Sequence, residues 1–164
     1  MRVEDTIHYE ATPDEVAAML ADPEFVERKL VATHAIRHEI DVTGDAAGAF
    51  TVTTRRTMPT SDLPDVAQKF VGESLDVRQV EAWEAPAADG SRAGTLVVEI
   101  VGDPMRLTGT LRLAPDAGGT TETLAGDLKA SVPIIGGKLE KAAEPAFMAA
   151  IRTEHRVGRE WLAG

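Results

Sequence analysis

The sequence predicts an α+β fold in which a curved antiparallel sheet of about seven strands wraps a long C-terminal helix. Three observations carry that expectation. Between residues 34 and 132, apolar side chains alternate with polar ones, the period of half-buried strands. Turn formers punctuate the alternation at Asp89-Gly90, Gly102-Asp103-Pro104 and Gly118-Gly119. After Gly137 the period changes: Leu139, Ala143, Phe147, Ile151, His155, Gly158 and Leu162 recur at three- and four-residue steps, one stripe of a helix ending near Leu162.

The opening strand spans Arg2 to Ala11, with Val3, Ile7 and Tyr9 on one face and Asp5 interrupting it. Thr12-Pro13-Asp14-Glu15 then starts a helix: Thr12 caps, Pro13 suits the first helical position, and Glu15 completes a capping box. Val16, Met19 and Leu20 form its buried stripe. Asp22-Pro23 ends this helix and starts a second, with Phe25, Val26 and Leu30 inward. Residues 34–43 alternate again, with Ile36, Ile40 and Val42 on one face, and Gly44-Asp45 to Gly48 connects a hairpin. Phe50, Val52, Thr54, Arg56 and Met58 share a face of the next strand. Pro59 to Pro64 reads as a loop, and Val66 to Val71 as one short helical segment. Four strands follow, near 74–85, 94–101, 105–114 and 120–132. In the first of them the apolar residues change face around Arg78, from Leu75 and Val77 to Val80 and Ala82, which predicts a bulge. In the last helix Pro145 removes a backbone donor and meets the Lys141 carbonyl, which predicts a kink. No repeat or linker is visible, so residues 1–164 are expected to form one domain.

Composition narrows the function classes. Asp and Glu number 27 against 17 Lys and Arg, a formal net charge of −10. Such a chain repels phosphate backbones, and few aromatics are present to stack on bases, so a nucleic-acid partner is not expected. No long apolar run or signal-like start is present, so no stable membrane insertion is expected, and the protein reads as cytoplasmic. Cysteine is absent, which removes disulfides and thiolate sites together.

Several stretches are more particular than the pattern. They are Asp62-Leu63-Pro64 with Lys69-Phe70-Val71-Gly72, then Trp83, then Val132-Pro133-Ile134-Ile135-Gly136-Gly137-Lys138-Leu139-Glu140-Lys141, and the ending from Glu154 to Leu162. With the element order, they resemble the START-like, or helix-grip, superfamily of polyketide cyclases and lipid-transfer domains. Within it they are similar to a bacterial, mainly actinobacterial, family of unknown function. The resemblance implies a cavity between the sheet and the last helix, and an apolar ligand there: a lipid, a polyketide or an isoprenoid-like molecule. It implies no catalytic residue, since no shared catalytic motif is present.

The expected cavity wall is Val52, Leu96, Val98, Leu107, Leu111 and Leu128 on the strands, with Phe147 and Ile151 on the helix. Gly109 and Gly126 share the inward phase, where missing side chains could open a pocket, admit the helix closely or ease sheet curvature. Polar residues on apolar faces form a second group: Asp5, His34, His38, Thr54, Arg56 and His155. Arg56 suits a ligand carboxylate or hydroxyl, or a structural ion pair; a slip of one residue would turn Arg55 inward instead. In the helix-grip order the first and third strands are not neighbours, so an Asp5–Arg56 contact would cross the cavity. His155 could act as an acid–base group or sit as a satisfied core residue. His34 and His38 on one strand would stand about 13 Å apart, too far to share an ion, and no third ligand has motif spacing; no metal or other cofactor is expected. Gly136-Gly137-Lys138 at the start of the last helix could hold an anion, or simply make a tight turn. Three readings follow: a binding module for an apolar small molecule, a cyclase or dehydratase using His155, Arg56 and Asp5, or an interaction protein with a closed core. The number of subunits is not expressed in any of these patterns.

Overall fold

The computed structural model describes residues 1–164. Strand β1 (Arg2–Tyr9) leads to two short helices, α1 (Pro13–Leu20) and α2 (Pro23–Ala32). Both start as the sequence dictates. Thr12 accepts the Glu15 N–H while Glu15 returns to the Thr12 backbone, and Asp22 accepts the Glu24 N–H ahead of Pro23. Strands β2 (Arg37–Gly44) and β3 (Phe50–Pro59) form a hairpin, followed by helix α3 (Asp65–Val71). Strands β4 (Ser74–Trp83), β5 (Arg92–Ile100), β6 (Met105–Asp116) and β7 (Gly119–Ala130) form a meander, and helix α4 (Gly136–Leu162) closes the chain.

The seven strands make one antiparallel sheet in the order β1-β7-β6-β5-β4-β3-β2. The two edges are therefore β1 and β2, and α1 and α2 span the gap between them. Helix α4 lies on the concave face against α2, β7, β1, α3 and α1. This is the α+β helix-grip architecture. No helix is long and apolar enough to cross a membrane. Core side chains come from the inward phase of the strands, among them Val3, Phe50, Leu96, Leu107, Leu113 and Leu128, and from Phe25, Leu30 and Met148 on the helices.

Three local expectations are corrected. The β3–β4 register runs without offset from Phe50↔Trp83 to Pro59↔Ser74, so β4 carries no bulge. Its buried phase is Val77, Gln79, Glu81 and Trp83; two polar side chains, not a change of face, break the apolar pattern. Helix α4 continues through Pro145 as one helical span. His34 lies in the turn after α2 with φ of 66°, and Ile36, 61% exposed, precedes the β2 strand. At the start of α4 the left-handed residue is Ile134 (φ 72°), not either glycine. Gly136 is needed there for a different reason: a methyl group would meet the Ala130 carbonyl at 2.5 Å.

Gly109 and Gly126 face each other across the β6–β7 pair. A Cβ at Gly126 would lie 2.5 Å from the Thr108 carbonyl oxygen, and one at Gly109 would lie 2.9 Å from that of Ala125. Partner backbone fills the volume a side chain would take, so the glycines serve close strand approach and open no pocket. Gly126→Ala is expected to lower stability by about 1–3 kcal/mol, the range for forcing extra volume into packed structure. Gly137→Ala should be neutral or slightly stabilising, because its added methyl meets nothing within 4 Å. Urea midpoints of the two variants check the contrast; equal midpoints would show that the β6–β7 pair yields easily.

Candidate functional site

Two adjoining cavities lie between α4 and the sheet. The outer one, about 150 Å³, is walled mainly by Met58, Leu63, Ala67, Phe70, Leu75, Val77, Ile100, Met105, Leu139 and Ala143. It occupies the α3 end of the sheet, and Phe70 on its rim is 37% exposed. The inner one, about 50 Å³, is lined by Tyr9, Leu96, Val98, Leu107, Leu111, Leu124, Phe147 and Ile151, together with a charged group: Lys29, Arg56, Gln79, Glu81, Glu122, Glu154 and His155. Arg56, Val98, Phe147 and Ala150 line both, so an apolar outer chamber adjoins a polar inner one.

The expected wall residues distribute unevenly. Arg56, Leu96, Val98, Leu107, Leu111, Phe147, Ile151 and His155 line the inner chamber. Val52 and Thr54 border a small recess beside it with Lys29 and Glu81. Gly109, Gly126 and Leu128 line none of these spaces; Leu128 is fully buried in the core, and the glycines are occupied by the strand contact described above. Arg56 points inward and is 5% exposed, while Arg55 points outward to Asp76. His38 turns to Glu27 at 3.5 Å, away from the chambers.

The charged group and its partners come from six elements. From α2, Lys29 Nζ lies 3.7 Å from Glu81 Oε1 on β4. Arg56 on β3 donates to Thr33 Oγ1 at 3.2 Å, to Gln79 Oε1 at 3.2 Å and to Glu154 Oε1 at 3.4 Å. Gln79 and Trp83 both donate to the Glu81 carboxylate, at 3.0 and 3.4 Å. On β1, Asp5 Oδ2 lies 3.2 Å from His155 Nδ1 on α4. Asp5 and Arg56 therefore each cross the cavity to α4 but do not meet one another. Glu122 on β7 differs from the rest. It is 7% exposed, and its Oε2 has no hydrogen-bond partner.

These surroundings set the protonation states. Burial pushes the Glu122 carboxyl up, and the nearby Glu81, Glu154 and Asp5 add to it against Lys29, giving a pKa of about 8. It is thus a neutral acid at neutral pH. Burial would raise Glu154 as well, but Lys29, Arg56 and His155 outweigh it and hold Glu154 below the usual carboxylate range. Burial would depress Lys29, yet Glu81, Glu154 and Glu122 keep it above its ordinary value. Burial lowers His155, against Asp5 and Glu154, which favour the protonated ring. Burial, then Glu122, pushes the Tyr9 hydroxyl well up. Chemically, the chamber offers a neutral carboxylic acid and an imidazole whose Nδ1 is engaged by Asp5, which leaves Nε2 as its remaining proton-transfer atom.

The model of a family described as a protein of unknown function, DUF2505, matches residues 4–162. The chain belongs to the DUF2505 family. An uncharacterized relative, Rv0481c of Mycobacterium tuberculosis, is 28% identical over 161 residues, covering 94% of this chain and 92% of its own. Among solved structures, TTHA0849 from Thermus thermophilus superposes with a TM-score of 0.65 at 16% identity, covering 99% of this chain and 97% of its own. A STAR-related lipid transfer protein from Xanthomonas axonopodis superposes with a TM-score of 0.61 at 18% identity, covering 99% and 86%. At those identities the likeness establishes the shared START-like fold of this DUF2505 member.

The cavity-facing residues that the sequence pattern concealed are Lys29, Gln79, Glu81, Glu122 and Glu154. A usable signal was present in β7: strict alternation with Leu124 and Leu128 places Glu122 inward.

Proposed function

We propose that this protein binds and carries a small apolar molecule, of lipid, polyketide or isoprenoid-like character, in the space between the sheet and α4. One observation carries the reading: the outer chamber of about 150 Å³ has almost wholly apolar walls. Protein interiors normally close-pack to leave few voids larger than a water. A dry cavity of roughly 150 Å³ is known to accept a benzene-sized ring, so this chamber takes a ring or a short aliphatic segment. The adjoining polar chamber gives such a molecule a defined direction, tail toward α3 and polar end toward Glu122. That a STAR-related lipid transfer protein shares the fold is consistent with this use.

The experiment is titration with the uncharged dye N-phenyl-1-naphthylamine. Saturable fluorescence enhancement is expected, and Ala143→Phe, which fills the outer chamber, should weaken it by about tenfold or more. An unsaturable response, or equal affinity in a folded Ala143→Phe variant, would remove the outer chamber as the site.

A further inference from the structure

We infer that the inner chamber selects a positively charged nitrogen: the apolar molecule it receives carries an amine at its inner end, set against Glu122. This rests on the binding reading above and names the ligand's polar group.

The first support is Glu122 itself. It is 7% exposed, it lines the chamber, and its Oε2 is unpartnered. A buried acceptor without a partner is costly, and an ammonium is the strongest donor for it. The second support is the state of the cations. Lys29 is taken by Glu81, and Arg56 is taken by Glu154, Gln79 and Thr33. Arg56 Nε is unpartnered, but the guanidinium's two terminal nitrogens are already committed, so it is not a free positive charge. The third is the full set of facing groups. Tyr9 faces the chamber from β1, Lys29 from α2, Arg56 from β3, Glu81 from β4, and Glu154 and His155 from α4, with Asp5 behind His155. Strands β5 and β6 present only Leu96, Val98, Leu107 and Leu111. Once Glu122 ionises, three carboxylates, Glu81, Glu122 and Glu154, thus stand against two permanent cations, Lys29 and Arg56.

A carboxylate or phosphate entering this chamber would have to compete with Glu81 for Lys29 and with Glu154 for Arg56. A hydroxyl would supply no charge against an ionised Glu122. An ammonium supplies the missing charge, and about 50 Å³ is ample for it, since a water needs only ~10–15 Å³. In the empty chamber burial and Glu81 keep Glu122 protonated, with a pKa of about 8. When the ammonium arrives, the carboxyl ionises against it and its proton passes to solvent. Binding near neutral pH therefore releases roughly one proton, and affinity rises with pH until Glu122 is ionised without the ligand.

The test uses four probes on one ring frame: indane, 2-indanol, indane-2-carboxylate and 2-aminoindane. Isothermal titration of the full chain near neutral pH, in two buffers of different protonation enthalpy, reads affinity and proton release together. The amine is expected to bind about tenfold or more tighter than the alcohol, with release of roughly one proton. Glu122→Gln should abolish both the release and the preference. The wild-type proton count stands by itself if that variant folds poorly. An alcohol that binds as tightly as the amine without proton release, or a carboxylate that binds best, overturns the charge selection while leaving the cavity a binding site. If none of the four binds to the folded chain, the binding reading itself fails.

Discussion

Replacing Arg56 with methionine is expected to destabilise the fold by about 3–5 kcal/mol, the range for breaking a buried ion pair by removing one partner. The guanidinium ties four elements at once: Thr33 at the end of α2, its own strand β3, Gln79 on β4 and Glu154 on α4. Thr33 in turn donates to the Leu30 carbonyl, and Gln79 to Glu81, so the contacts form one network. Methionine keeps much of the apolar stem and deletes the charge. Glu154, whose side chain is only 12% exposed, would then rely on Lys29 and His155, and the Gln79 carbonyl would lose its donor. At roughly 2–4 °C per kcal/mol for a chain of this size, the melting temperature should fall by about 6–20 °C. The double variant Arg56→Met/Glu154→Gln should regain a good part of the loss, because it removes the stranded charge along with its partner. Urea denaturation of the wild type, both single variants and the double variant completes the cycle. A loss below about 1 kcal/mol for Arg56→Met, or strictly additive single effects, would show that the network is not held through Arg56.

The fold was legible in the sequence because its signals are redundant. Alternation in β5, β6 and β7, the Thr12 and Asp22 caps and the stripe from Leu139 to Leu162 each point to the same architecture, and an error in one is absorbed by the others. The apolar wall of the inner chamber was legible from alternation, but its polar part only where a polar residue visibly interrupts an apolar face. Asp5, Arg56 and His155 qualify; Arg56 and His155 line the inner chamber, and Asp5 contacts His155. Gln79 and Glu81 were hidden for a physical reason. Alternation is read by assuming that the inward phase is the apolar one, and in β4 the inward phase turns polar just where it meets the cavity. Val80 and Ala82 on the outer phase then mimic a change of face. Gly109 and Gly126 show the converse error. An absent side chain reads as free volume, but whether partner backbone already occupies that volume depends on how closely two strands approach, which alternation does not encode.

Glu122→Gln should stabilise the protein, and increasingly so as pH rises from about 4.5 to about 8. The sign follows from a carboxyl whose folded pKa lies above its ordinary value. Below 4.5 the group is protonated in both the folded and the unfolded chain and contributes no pH dependence. Above that value the unfolded chain ionises it while the folded chain keeps the proton, so the unfolded state gains about 1.4 kcal/mol per pH unit until the folded group also ionises near pH 8. Glutamine is close to the neutral acid in shape and cannot ionise, so the difference between the two proteins isolates this group. The accumulated gain is on the order of several kcal/mol, a large share of the roughly 5–15 kcal/mol that holds a domain together. Urea midpoints of both proteins across that pH range read it directly, and parallel curves would mean that Glu122 ionises in the fold as it does in the open chain. Near-neutral pH is where the side chain weakens the fold most visibly, and a glutamine or leucine would relieve it. A residue that lowers stability at working pH while facing a cavity is explained by what occupies that cavity. The same curves carry a further discrimination: with 2-aminoindane bound, the folded carboxyl should already be ionised, and the wild-type slope between 4.5 and 8 should flatten toward that of the glutamine variant.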